Sequence, residues 1–255
     1  MATSKTSKEP ADLEPFVYPK LDEELFEVLQ EEFEEHGDIG ISMPTVKVPS
    51  GGGMAFDLPD EEVSKTIDCV IVNWHEMNLL WINQYDGSKN PPDCVSNDGK
   101  EGEGYPGGNC KACGYNQFSA DGGGKSCKNI VRAYILVPGQ IMPWVLNIPP
   151  SSLRAFHTYR KAMLLKAKPL YMIRTQIGLE KQDSKGGIVY SGLTFKMVDV
   201  IDPNQKVAAK EYTGSVKGLA RMSAPPALSG GEPMSSLPPG HPTGNTQGNF
   251  DDEPF

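Results

Sequence analysis

Four of the five cysteines, Cys94, Cys110, Cys113 and Cys127, fall within one stretch at the spacing C-x15-C-x2-C-x13-C. Thiolates hold zinc at tetrahedral corners, and a C-x2-C turn sets two of them on one side of the ion. Asn109-Cys110-Lys111-Ala112-Cys113-Gly114 is such a turn, with a glycine where backbone amides can approach the sulfurs. Residues 94–127 hold nine glycines, and their apolar residues besides cysteine are Val95, Tyr105, Ala112, Tyr115, Phe118 and Ala120. Ordering a residue costs about 1–2 kcal/mol, whereas burying a larger apolar side chain contributes about 1.5–3 kcal/mol. So few side chains cannot hold the segment. A structural zinc site contributes about 10–16 kcal/mol in peptides, so a metal, a disulfide pair or contacts with the rest of the chain must supply the difference. Disulfides belong to oxidising compartments. Met1-Ala2-Thr3-Ser4-Lys5 leads into polar and acidic residues rather than the apolar run of an export signal. The expectation is a cytoplasmic protein with one structural Zn2+ on Cys94, Cys110, Cys113 and Cys127. Four thiolates leave no position for water, so hydrolysis by that ion is not expected. His36, His75, His157 and His241 lie far from the cluster, and Cys69, inside Cys69-Val70-Ile71-Val72, reads as a small core residue.

Other motifs fail on context. Gly102-Glu-Gly104-Tyr-Pro-Gly107 matches a dinucleotide fingerprint but contains Pro106 and opens no helix. Gly123-Gly124-Lys125-Ser126 resembles the end of a phosphate loop, yet Ser119 stands where its first glycine is needed. No nucleophile–base or carboxylate pair emerges from spacing, and the reading is of a protein that is not an enzyme.

The net charge of -9 conceals a division: residues 1–127 carry -15, residues 128–221 carry +10 and residues 222–255 carry -4. A basic block within an acidic chain reopens nucleic-acid binding. The elements around the block come from periodicity. Residues 1–20 read as a flexible arm, and 21–36 as a helix with Leu21, Leu25, Val28, Leu29 and Phe33 on one side and acids on the other, either a solvated face or an acidic flap. Thr66–Trp74 and Met77–Tyr85 are strand candidates. Alternation then runs through Val131–Val137, Trp144–Ile148, Leu170–Leu179 and Val189–Val200, with a helix from Ser151 or Ser152 to about Lys166. Strand, strand, strand, helix, strand, strand is the order of an OB-fold, a small Greek-key barrel that binds oligonucleotides. The expected architecture is mainly β with α: an OB-fold core over 41–221, a zinc-ribbon-like insertion at 86–129, an arm and acidic helix at 1–40, and a disordered tail at 222–255.

The outward positions of the proposed strands carry Arg132, Tyr134, Arg174, Tyr190 and Lys196, and the helix adds Arg154, Arg160, Lys161, Lys166 and Lys168. Cations meet phosphates while unpaired bases stack on rings, each worth about 1–3 kcal/mol. Trp74, Trp81, Tyr85 and Trp144 are further stacking candidates. The chain closes on Phe250-Asp251-Asp252-Glu253-Pro254-Phe255 after a Gly/Pro/Ser/Asn-rich linker. This end resembles the C-terminal tip of bacterial single-stranded DNA-binding proteins, departing from it in having Glu253 where that family often has an apolar residue. The stretch Cys94-Val-Ser-Asn-Asp-Gly99, Pro106-Gly-Gly-Asn-Cys110-Lys-Ala-Cys113, Asn116-Gln-Phe118 and Gly124-Lys-Ser-Cys127 resembles the Cys-rich insertion of phage or mobile-element single-stranded DNA-binding proteins. The resemblance implies a protein that coats single-stranded DNA in replication or recombination, in the cytoplasm of a bacterial host. It also implies that the tip recruits replication or repair proteins, Phe255 entering an apolar pocket while Asp251, Asp252 and Glu253 meet its basic rim. The alternative is a zinc-ribbon adaptor in transcription or recombination that binds proteins rather than bare strands. No membrane partner is expected.

Overall fold

The computed structural model describes residues 14–20, 27–28, 31, 43–49, 51–82, 91–119, 124–184, 187 and 189–222. Most of the expected acidic helix, Tyr85, and the tail with Phe250, Asp251, Asp252, Glu253, Pro254 and Phe255 lie outside these residues.

The strands are β1 (Thr45–Val46), β2 (Phe56–Asp57), β3 (Val63–Ser64), β4 (Thr66–Leu80), β5 (Cys94–Ser96), β6 (Glu101–Gly104), β7 (Gly108–Asn109), β8 (Lys128–Leu136), β9 (Trp144–Ile148), β10 (Ile173–Asp183) and β11 (Val189–Val200). Helix α1 (Leu153–Leu165) joins β9 to β10, and α2 (Lys206–Met222) follows β11. The molecule is mainly β, with a mixed sheet. β4 lies at its centre and pairs antiparallel with β8 along most of its length. On its other side β4 pairs with β10 through Thr66–Val70 and with β5 through Asn78–Leu80. The path therefore runs β9-β8-β4-β10-β11, with β5, β6 and β7 branching from the far end of β4. Among the described residues the sheet does not close into a barrel. The outer side of β9 takes β1 in parallel, and β11 pairs with β10. The two expected strands within 66–85 are one strand through Leu80, with an irregular register between Ile71 and Asn73.

The pattern of β4 explains the layering. Ile67, Cys69 and Ile71 point to one face, joined there by Val131, Ala133, Ile135, Ile173 and Ile177, and are covered by Phe156, Tyr159 and Met163 of α1. Val70 and Val72 point to the other, with Tyr134, Leu136 and Val145. That second face is also buried, under Ala209, Tyr212, Val216 and Leu219 of α2 and under Phe16 and Tyr18. A strand buried on both faces shows a continuous apolar run, which is what Cys69–Val72 is.

The second core overturns two expectations. Residues 14–20 are docked rather than loose. Tyr18 donates its hydroxyl to the carbonyl of Tyr171, its backbone N–H bonds Gln205, and Arg174 Nη1 donates to the Glu14 carbonyl at 2.9 Å. And the face expected to meet solvent at Tyr134 is interior. Ser152 also differs from expectation: it precedes α1, but its hydroxyl accepts the Leu193 N–H at 2.9 Å instead of capping the helix.

Candidate functional site

The Cys-rich module grows from the end of β4 in short steps. Cys94 begins β5, facing Leu80 on one side and Gly104 of β6 on the other. Cys110 follows β7 directly, its N–H bonded to the Lys100 carbonyl at 2.7 Å. The Asn109 carboxamide oxygen then accepts from Lys111 N–H and Ala112 N–H, which curls the C-x2-C turn back on itself. Cys113 leads into a single turn of 3-10 helix, Gly114–Asn116. Cys127 returns the chain to β8, its N–H bonded to the Tyr115 carbonyl at 2.8 Å.

These steps bring Cys94, Cys110, Cys113 and Cys127 to one small cavity of about 10 Å³, which they line together with Asn78, Leu80, Ser96 and Asn116. That is about the room of one water-sized sphere, and so of one ion. Its donors are the four thiols. The five cysteines are free, and among the described residues no group of three or more His, Cys, Asp or Glu is placed so that it could hold a metal ion. Burial pushes the Cys127 thiol up to about 11, with Cys110, Cys113 and Cys94 adding to the rise and Lys125 opposing it. Thiolates so gathered repel one another, and a divalent cation is the group that offsets this. Four sulfurs are the donor type that zinc takes, while their placement here is not that of a metal-holding group. Gly102 belongs to the cradle: a Cβ there would lie 2.8 Å from Cys94 Sγ.

An amide network fixes the module to the sheet. Asn129 Nδ2 donates to Asn78 Oδ1 and to Asn116 Oδ1, the latter at 2.9 Å. Asn78 Nδ2 reaches the Gly99 carbonyl at 3.1 Å, and Asn116 Nδ2 the Cys110 carbonyl at 2.8 Å. Lys125 Nζ bonds both Asn116 and Asn129, at 3.3 Å and 3.0 Å. Spacing points only to the sulfurs; these amides come from β4, β8 and the module itself, too far apart in sequence to announce each other.

The expected nucleic-acid residues divide. Tyr134 and Trp144 are interior, the first in the core under α2 and the second in the core under α1. Arg132 and Arg174 are 5% and 8% exposed. Arg132 Nε donates to Asn147 at 3.3 Å, and Arg174 holds the docked segment at Glu14. None of these four faces solvent: Tyr134 and Arg174 lie on the side of the sheet that α2 and residues 14–20 cover, and Trp144 on the side that α1 covers. His75, opposite Arg132 on β4, has its pKa held down to about 4, first by burial and then by that guanidinium. Trp74 is half-buried, with Phe156 against its ring edge-on and the Arg160 guanidinium 4.6 Å from its centroid. Trp81 is half-buried beneath Lys128 Nζ, 5.6 Å away. Tyr190 is half-buried and Lys196 exposed.

A cationic surface does exist, one layer outward. Helix α1 contains Arg154, Arg160 and Lys161 and no acid, and Lys166 and Lys168 follow it. Arg154, Lys161 and Lys166 are exposed, as is Lys196 on neighbouring β11. Phe195 packs against Phe156 and Tyr159, and Lys168 Nζ reaches Met197 Sδ at 4.0 Å, so β11 turns Phe195 and Met197 to α1 and Lys196, between them, to the opposite face of the sheet. Among the described residues no helix is long and apolar enough to cross a membrane. Compared with protein-family models, curated proteins and solved structures, the chain matches none of them.

Proposed function

We propose that this chain is a single-stranded DNA-binding protein without catalytic activity, carrying one structural zinc. The observation that carries the reading is the surface of α1: Arg154 and Lys161 are exposed on it and Lys166 at its end, the helix has no acid, and Lys196 is a further exposed cation on β11. Phosphate contacts of this kind supply most of the affinity for a nucleic-acid backbone, and they are independent of sequence. The strand path supports it. Numbered as five strands, β4, β8, β9, β10 and β11 run in the order 3-2-1-4-5, with α1 between the third and fourth, compatible with an OB-fold left open between its third and fifth strands. Cys94, Cys110, Cys113 and Cys127 would hold the zinc, which supplies folding free energy to the module. The tail from residue 223 would recruit replication, repair or recombination proteins through Asp251, Asp252, Glu253 and Phe255.

Fluorescence anisotropy of a labelled oligo-dT, titrated with salt and challenged with duplex, tests the reading. Binding that duplex does not displace and that falls with a log–log slope of about -0.7 per phosphate contacted supports a coating protein. No binding at low salt, with residues 223–255 present or removed, overturns it in favour of a zinc-ribbon adaptor that binds proteins.

A further inference from the structure

The aromatic rings that meet solvent are on the Cys-rich module, not on the sheet. Phe118 is 75% exposed, Tyr105 67% and Tyr115 38%. Rings of this size normally bury their faces, so rings left in water beside one another mark a binding surface. Tyr115 and Phe118 line an open groove of about 540 Å³ with Pro106, Asn109, Ala112 and Gln117. Among the described residues no carboxylate lines it, although residues 1–127 carry a net charge of -15.

The ring of Phe118 is held in place. Lys125 Nζ lies 5.2 Å from its centroid, and the same ammonium is fixed by Asn116 and Asn129, so the cation is anchored through Asn129 to the sheet. Lys111 is exposed in the C-x2-C turn, of which Asn109, Ala112, Cys113 and Gly114 line the groove.

We propose that this groove is a nucleobase site: an unpaired base stacks on Phe118 and Tyr115, with its phosphates against Lys111 and Lys125. The inference rests on the single-strand reading above and adds a second contact surface to it. A base suits the groove better than an apolar peptide side chain. The groove is open, its apolar lining is two flat rings with Pro106 and Ala112, and Asn109 and Gln117 line it beside them. Flat rings between cations are how single strands are bound without sequence preference, and amide groups beside the rings can meet the exposed edge of a base.

The test uses the zinc-loaded full chain, oligo-dT, and the variants Phe118→Ala and Phe118→Trp. Loss of one stacked base weakens affinity roughly 5- to 150-fold. The expected result is weakening of that order in Phe118→Ala, restoration in Phe118→Trp, and unchanged metal content in both. Unchanged affinity in Phe118→Ala, in a protein that binds oligo-dT tightly, overturns the groove and leaves the cationic surface of α1 standing. Failure of the unsubstituted chain to bind any oligonucleotide overturns the broader reading as well. If Phe118→Ala loses its metal, photocrosslinking of the unsubstituted chain to 5-iodouracil DNA decides. Adducts on Tyr115 or Phe118 support the site, and adducts confined to α1 and β11 overturn it. A labelled peptide of residues 246–255 that binds the full chain, and loses that binding in Phe118→Ala, would make the groove a protein-docking site and overturn the nucleobase assignment.

Discussion

His75 sits in the fold as a neutral ring, tilted against Tyr134 with ring centroids 5.8 Å apart and placed opposite Arg132. Its pKa is lowered from 6.5 to about 4, so below 6.5 the unfolded chain takes up a proton that the folded chain refuses. The stability this histidine contributes is complete above 6.5 and is lost as pH falls from 6.5 towards 4. Urea midpoints at pH 7 and pH 5 should show that drop, and His75→Gln should flatten it; an equal drop in the variant would assign the effect to other groups. Burial also separates an arginine from a lysine that alternation alone cannot tell apart. Arg174→Ala removes the bond to the Glu14 carbonyl, a charge-assisted hydrogen bond worth about 1.5–3 kcal/mol, and should lower stability while leaving oligo-dT affinity unchanged. Lys196→Glu should do the reverse, weakening binding and flattening the salt slope by about 0.7, the share of a single phosphate. Alternation in residues 131–137 and 173–179 sorts residues onto two faces, as the structure has them, whereas Leu170–Met172 form a 3-10 turn and Tyr171 packs in the core opposite to Ile173 and Ile177. It cannot say that both faces are covered, because the cover comes from Phe16, Tyr18 and α2, and no local pattern at Tyr134 or Arg174 encodes it.

At the scale of elements, α1 and the order of the main strands are legible in the sequence because each has a clean period and clear ends. Helix α2 is not. Its buried stripe, Ala209, Tyr212, Val216 and Leu219, has helical spacing, but small residues and two interposed glycines, Gly214 and Gly218, blur it. The Cys-rich module is legible in its ligands and illegible in its frame. β5, β6 and β7 are two to four residues long, too short to carry a period. Their dependence on metal is measurable. Chelation should release one zinc per chain and collapse amide-exchange protection across residues 94–127, while β8, β10 and α1 keep theirs, since both large cores lie outside the module. Protection of 94–127 that survives complete metal removal would show that the asparagine network holds it alone.

For the whole molecule, charge is distributed by position. The basic surface of α1 belongs to a chain whose residues 222–255 carry -4 and no lysine or arginine. An anionic segment on the same chain competes with phosphates at high effective concentration. Removing residues 223–255 should therefore tighten oligo-dT binding at low salt, with the difference vanishing towards 1 M, where the screening length is about 3 Å. Equal affinity at all salt concentrations would free the tail of any part in self-competition. The long strand β4 has a consequence of another kind. Its first residues are stitched to β10 and its last to β5, so one uninterrupted piece of backbone serves as spar for both the double-layered body and the Cys-rich module. The irregularity between Ile71 and Asn73 lies between the two stitched ends, and β8 pairs with β4 on both sides of it. A polymer laid across α1 and the Phe118 groove would be held at a fixed bend, as on a rigid jig, and spin labels on the two regions should give one narrow distance distribution whether or not the strand is bound.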